Sequence, residues 1–228
     1  DQLPQLYFGG HNGAFRIYPA RHSETCGNYD TRERPWYVAA SSGPKDVVLV
    51  LDTSGSMSSY DRIGLQKTAA NAVIDALTIG DHFGVVEFNT YAYTLNPSGR
   101  PLQATVENKD TMKALVNGLG TGGGTNFYGG FEEAFDLIDA STAYEASSNC
   151  HTAILFLTDG VMSSGYTASQ VYNLINQRNA AYDATVFTYS LGSGADSSIL
   201  KQIACETGGL WAGVPDGHDL SASVPGHC

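Results

Sequence analysis

Apolar and polar positions change their rhythm near residue 46. From Val47 to Leu51 five consecutive residues are apolar, three of them β-branched. A strand covered on both faces of a parallel sheet requires such a run. Over 63–77 apolar residues recur at helical spacing, with Ala69, Ala70, Val73, Ile74 and Leu77 on one face. The alternation continues with strand patterns over 83–88 and 91–95, the second an edge strand, and helices over 105–117 and 127–138. It ends with strand 153–157, helix 168–182, strand 185–190, helix 197–205 and strand 210–214. Strands alternating with helices of about 10–15 residues predict βαβ units. The expected fold is α/β, a doubly wound and mostly parallel sheet flanked by helices.

Residues 1–44 follow another pattern. Leu6-Tyr7-Phe8 and Ala14 to Tyr18 are aromatic, strand-like runs around His11-Asn12-Gly13, which predicts a β-hairpin. A polar stretch over 19–33 leads to Arg34-Pro35-Trp36-Tyr37-Val38. The segment is too small for a core of its own. Three regions are expected: an N-terminal β segment over 1–44, an α/β domain over 45–215 and a tail over 216–228. The run from Val47 to Leu51 is as long as any apolar stretch in the chain and far short of the roughly 20 residues that span a bilayer, so no membrane insertion is expected. Asp1 to Pro4 lacks the basic and apolar regions of a signal peptide, and the chain reads as a mature or excised fragment.

Composition narrows the function class. With 228 residues, 42% apolar and 15% charged, the chain can bury about 70% of the surface exposed when unfolded. Disorder is excluded on the same figures. Twelve basic residues stand against 23 acidic ones, a formal charge of −11, so nucleic acid is a poor partner. The four cysteines show no C-x-x-C spacing, which argues against zinc or thioredoxin chemistry. Their even number fits two disulfides in a secreted compartment and equally four reduced thiols.

In a doubly wound sheet, ligands sit beyond the carboxyl ends of the strands. Three segments bring oxygen-bearing side chains there. Asp52-Thr53-Ser54-Gly55-Ser56 follows the first strand, Gly122-Gly123-Gly124-Thr125-Asn126 leads into a helix, and Thr158-Asp159-Gly160 follows strand 153–157. Asp52, Ser54, Ser56, Thr125 and Asp159 thus offer two carboxylates and three hydroxyls, without sulfur or imidazole. Hard oxygen donors select Mg²⁺ or Ca²⁺, with Mn²⁺ also compatible, over zinc or copper. Two carboxylates balance a divalent charge, leaving the ion able to take another carboxylate from outside. Asp52 alone would read as a helix cap; Thr125 and Asp159 make it a ligand candidate. The glycine run lacks the Gly-Lys-Ser/Thr of a phosphate loop.

Asp52-x-Ser54-x-Ser56, the distant Thr125 and Thr158-Asp159-Gly160 together resemble the metal-ion-dependent adhesion site (MIDAS) of von Willebrand factor A domains, a Rossmann-like fold, over about residues 46–215. Further stretches look like the alpha-two-delta auxiliary subunits of voltage-gated calcium channels and their cache-containing relatives. These are Arg34 to Tyr37 leading through Pro44-Lys45-Asp46, Thr125-Asn126-Phe127 with Gly130-Phe131, Asn149-Cys150, Phe187 to Gly192, and Ala204-Cys205-Glu206 with Gly209. The resemblance implies that residues 1–44 match strands flanking a cache domain, and that the parent protein is extracellular and membrane-tethered. The resemblance to a cache domain covers only the strands leading in, and no stretch resembling its second half is expected within residues 1–228.

Cysteine placement favours one of three pairings. Cys150 precedes a central strand and Cys205 ends a helix returning to the same sheet edge, so Cys150–Cys205 is expected, leaving Cys26–Cys228. No enzyme is expected. The Asp52-Thr53 sequence superficially echoes aspartic proteases, which need a second such loop and an all-β fold. An Asp-x-Asp phosphatase would need an acid where Ser54 stands, and no histidine is placed to activate a serine. The expected function is divalent-cation-dependent binding of a protein that presents an Asp or Glu, at the cell surface. The alternative is a structural module of a cache-type sensory receptor or channel auxiliary subunit, without direct ligand gripping.

Overall fold

A computed structural model describes residues 6–9, 15–18, 43–144, 146–163, 165–192, 197–216 and 224–226. The chain divides into two compact units, Asp1–Pro44 and Lys45–Cys228. In the first, β1 (Leu6–Gly9) and β2 (Phe15–Tyr18) pair antiparallel, Leu6 opposite Tyr18 and Gly9 opposite Phe15. The expected turn at His11 to Gly13 lies outside the described residues, as do Arg34 to Val38.

The second unit begins with β3 (Lys45–Asp52), a 3-10 segment over Gly55–Asp61 and α1 (Arg62–Ala76). Strands β4 (His82–Phe88), β5 (Ala92–Thr94) and β6 (Leu102–Gln103) follow, then α2 (Val106–Asn117) and α3 (Phe127–Ala143). The rest is β7 (His151–Thr158), α4 (Ala168–Asn179), β8 (Thr185–Leu191), α5 (Ser197–Glu206), β9 (Trp211–Val214) and β10 (Val224–Gly226). These form one sheet in the order β10-β9-β8-β7-β3-β4-β5, with β6 also on β4. Strands β9, β8, β7, β3 and β4 are parallel, whereas β5, β6 and β10 run antiparallel at the flanks.

Alternating residues of β3 explain why its sequence is apolar throughout. Val48 and Val50 join one core layer with α3, α4 and α5, where Phe131 stacks on Phe156 at 4.4 Å between ring centres. Val47, Leu49 and Leu51 join the other, against Ala70 and Ile74 of α1 and Met112 and Val116 of α2. Helix starts are capped by side chains: Asn126 accepts from the Gly129 amide at 3.1 Å, and Thr167 and Gln170 form a reciprocal capping box. Helix α3 runs five residues beyond its expected end, because Ser141 bonds back to the Ile138 carbonyl and its face stays buried. Among the described residues no helix is long and apolar enough to cross a membrane.

The expected cysteine pairing is corrected. Cys150 is exposed with a free thiol, so no Cys150–Cys205 bridge forms; Cys205 has another partner. The free Cys150 thiol lies exposed just before β7, whereas Cys205 lies on α5, which packs on β8 and β9. Cys26 and Cys228 lie outside the described residues.

Candidate metal centre

The site follows from the direction in which two neighbouring strands hand on the chain. Strands β3 and β7 are adjacent and parallel, with Leu51 opposite Leu157. The chain leaving β3 enters α1 on one face, and the chain leaving β7 enters α4 on the other. This is the topological switch point, where diverging loops open a crevice. Asp52 is the last residue of β3, and Asp159 follows the last residue of β7.

Both carboxylates are buried, Asp52 at 0% exposure and Asp159 at 3%. Asp52 accepts from the Ser54 amide at 2.7 Å through one oxygen and from the Thr158 hydroxyl through the other. Ser54 and Ser56 hydroxyls lie 3.1 Å apart, and Ser56 donates to Asp159 Oδ1 at 2.7 Å. Thr125 is held by Ser163, which accepts from its amide at 2.8 Å and donates its own amide to the Thr125 carbonyl at 3.1 Å. The Thr125 hydroxyl reaches this group across Gly160. A Cβ on Gly160 would sit 3.2 Å from Thr125 Oγ1 and 3.7 Å from Asp52 Oδ2. Two backbone bonds tie the first and second segments: Gly55 N to Gly123 O at 3.2 Å, and Gly122 N to Thr53 O at 2.8 Å. Gly123 needs its positive φ of 77° to make that approach.

All five residues singled out in the sequence therefore converge on one crevice. Burial pushes the Asp52 carboxyl up to about 6, partly offset by the Ser54 and Thr158 hydrogen bonds, and Asp159 adds a smaller upward push. An ionised Asp52 is thus costly in the protein alone, and a cation beside it would offset that cost. The donors, two carboxylates and three hydroxyls, suit a hard divalent ion. Among the described residues no group of three or more His, Cys, Asp or Glu side chains offers a different metal centre.

Sequence reasoning missed three contributors. Thr158 lies at the end of its strand and fixes Asp52. Ser163 fixes Thr125. Arg62 donates to Asp159 Oδ2 at 2.7 Å and grips Asp216 through Nε and Nη2 at 2.8 and 2.9 Å. Asp216 first, with Asp159, raises the guanidinium's pKa further. Gly192, with φ at +85°, makes room for Arg62: a Cβ there would lie 2.4 Å from Nη2. Only Gly192 offered a sequence signal for this arrangement, since Arg62 stands 97 and 154 positions from its partners.

Comparison with known proteins agrees with this geometry. Human voltage-dependent calcium channel subunit alpha-2/delta-2 is 34% identical over 212 residues, covering 91% of this chain and 18% of that protein. The chain thus spans less than a fifth of that relative's length. A von Willebrand factor type A structure from Catenulispora acidiphila aligns with a TM-score of 0.67 and 28% identity over 76% of this chain and 39% of that one. Mussel byssus proximal thread matrix protein 1, with a zinc-occupied MIDAS motif, shares the fold at a TM-score of 0.58 and 19% identity, over 76% of this chain and 44% of its own. The family profile of the von Willebrand factor type A domain matches residues 47–161, half of the chain. The chain belongs to the von Willebrand factor type A domain family, with relatives among the alpha-2/delta subunits of calcium channels.

Proposed function

We propose that this domain binds a divalent cation at Asp52, Ser54, Ser56, Thr125 and Asp159, and grips a partner protein through it. The observation that carries this reading is the convergence of two buried strand-end carboxylates with three hydroxyls at the switch point, where, among the described residues, Asp52 has no cationic side chain against it. When bound, the ion would supply a Lewis-acidic position open to an Asp or Glu carboxylate from outside. The chain's residues do the rest. Thr158 and the Ser54 amide orient Asp52, Ser56 links to Asp159, and Ser163 holds Thr125 toward the crevice. Mg²⁺ or Ca²⁺ fits this donor set, with Mn²⁺ as a substitute.

The role is binding rather than catalysis: the Ser56 and Thr158 hydroxyls donate to Asp159 and Asp52, the carboxylates proposed to face the cation, and among the described residues no imidazole joins them. Similarity to alpha-2/delta subunits supports a place at the cell surface, in a membrane-tethered parent, with a channel subunit or an adhesion protein as the acidic partner. The Cys26–Cys228 pairing is not carried forward, because Cys205 needs a partner other than Cys150.

A cation-dependent pull-down of cell-surface proteins tests the reading, backed by a Mg²⁺ titration followed by calorimetry. Wild-type protein is expected to bind Mg²⁺ and to retain its partner only with the cation. Asp52→Ala and Asp159→Ala are expected to lose both while keeping the wild-type circular dichroism spectrum. Partner retention unchanged in EDTA overturns the proposal.

A further inference from the structure

Beside the metal centre lies a second crevice that the site itself does not use. It has a volume of about 330 Å³ and is lined by Thr53, Glu87, Asn89 and the chain from Gly120 to Gly123. That places it at the lower end of ligand pockets, about 300–1,000 Å³. Its rim is shared with the metal centre: Thr53 lies between Asp52 and Ser54, and the Gly123 carbonyl accepts from the Gly55 amide.

Glu87 is the charged group in its wall. It sits one residue before the end of β4, opposite Leu51, on the face that Phe83 and Val85 turn to the α1 and α2 layer. At the carboxyl end of the sheet that layer gives way to the glycine-rich loop, so an acid replaces the apolar residue the alternation calls for. Among the described residues the Glu87 carboxylate has no hydrogen bond or ion pair. Burial alone pushes its carboxyl up. The neighbouring polar groups are occupied with one another. Thr53 donates to the Phe88 carbonyl, and Asn89 donates to Thr53 and accepts from the Tyr91 amide. Lys67 of α1 is committed to the carbonyls of Asn117 and Leu119, at 3.0 and 2.6 Å. A half-buried carboxylate without a partner is an uncommon and costly arrangement unless something binds it. One carboxylate is too few for a second divalent metal, but it suits a single ammonium or guanidinium group.

We propose that the Glu87 crevice takes the cationic end of a lysine or arginine side chain on the partner, next to the metal centre that takes its carboxylate. The paired recognition rests on the function proposed above, whereas the cation-binding crevice stands by itself. The domain then reads an acidic and a basic residue close together on one partner surface. This also gives the negatively charged domain an attractive contact with a partner whose carboxylate it would otherwise repel.

The test has two arms on the full chain. In the first, methylguanidinium is titrated while the amide resonances of Gly120 to Gly123 are followed by NMR, with and without EDTA. Saturable shifts are expected in both conditions, and are lost in Glu87→Gln. Absent shifts, or equal shifts in Glu87→Gln with an unchanged melting temperature, overturn the proposal. In the second arm, Mg²⁺-loaded protein is titrated with flexible glycine-linked peptides carrying one Asp with either one Lys or one Gln. The Lys peptide is expected to bind about tenfold tighter, and the advantage to vanish in Glu87→Gln. Equal affinities for the two peptides overturn the paired recognition. If methylguanidinium binds but neither peptide depends on Mg²⁺, the metal-dependent function falls while the crevice stands.

Discussion

At the scale of single residues, the site is a balance of buried charge. Asp52 is fully buried and its carboxyl lies well above the usual range. Replacing it by Asn keeps the acceptor for the Ser54 amide and removes the charge. Asp52→Asn is therefore expected to stabilise the metal-free protein in EDTA at pH 7.5 by up to about 3 kcal/mol, the equivalent of some two pKa units. The same change is expected to abolish any gain in stability from Mg²⁺, so urea unfolding with and without Mg²⁺ reads both effects. A less stable Asp52→Asn in EDTA would show that the carboxylate's hydrogen bonds outweigh its burial. Arg62 acts with the opposite sign. Its guanidinium neutralises Asp159 and anchors Asp216. Arg62→Gln is expected to tighten Mg²⁺ binding several-fold, because a positive charge leaves the site. It is also expected to lower the melting temperature, because two buried or half-buried carboxylates lose a partner. Calorimetry and thermal melts separate the two effects.

At the scale of elements, the sheet is secured where β3 begins as well as where it ends. Asp81, in the turn between α1 and β4, is fully buried. It accepts from the Thr78 amide at 2.6 Å and hydroxyl at 3.0 Å, and from the Lys45 amide at 3.0 Å and ammonium at 3.2 Å. Burial works to raise its pKa, but the bonds from Thr78 and Lys45 together hold it below the usual carboxylate value. An acid with a lowered pKa in the fold binds fewer protons there than when unfolded. Its contribution is complete above the unfolded value of about 3.9 and is lost as pH falls through the lower folded value. Asp81→Asn is expected to destabilise the protein at pH 7 and to flatten the fall in stability below pH 4. Urea unfolding at several pH values checks both; parallel acid limbs for variant and wild type would rule out this role. The flanks of the sheet illustrate what local pattern conceals. Strand β6 has two residues and is defined by pairing with His82 and Phe83. Strand β10 falls in the stretch expected to be a tail, and contains a proline and a glycine that mask strand periodicity.

At the scale of the whole molecule, net charge and local site pull in different directions. The formal charge of −11 repels an acidic partner at a distance, whereas the proposed cation attracts its carboxylate at contact. Association with an acidic partner is therefore expected to speed up as salt rises from about 20 to 200 mM, because screening removes the long-range repulsion. Stopped-flow association rates at fixed Mg²⁺ measure this; a rate that falls with salt would show that a locally positive surface steers the encounter.

The sequence by itself determined the order and type of the central elements and singled out the five oxygen-bearing side chains proposed to hold the cation. Continuous apolar runs and helical spacing are local consequences of burial on one face or two, and Asp-x-Ser-x-Ser is legible because its residues share one loop. Recognising Thr125 and Asp159 as companions needed only their positions at the mouths of a helix and a strand. Tertiary structure alone decided what surrounds those donors. Arg62 meets Asp159 and Asp216, Thr158 meets Asp52, and Glu87 is left, among the described residues, without a partner beside a glycine loop. It also left the Cys150 thiol free, against the pairing with Cys205 that strand and helix order suggested. These contacts join residues tens to more than a hundred positions apart, so no local pattern encodes them. They exist because the parallel register of β3 and β7 and the opposite paths of their connections bring those residues to one end of the sheet.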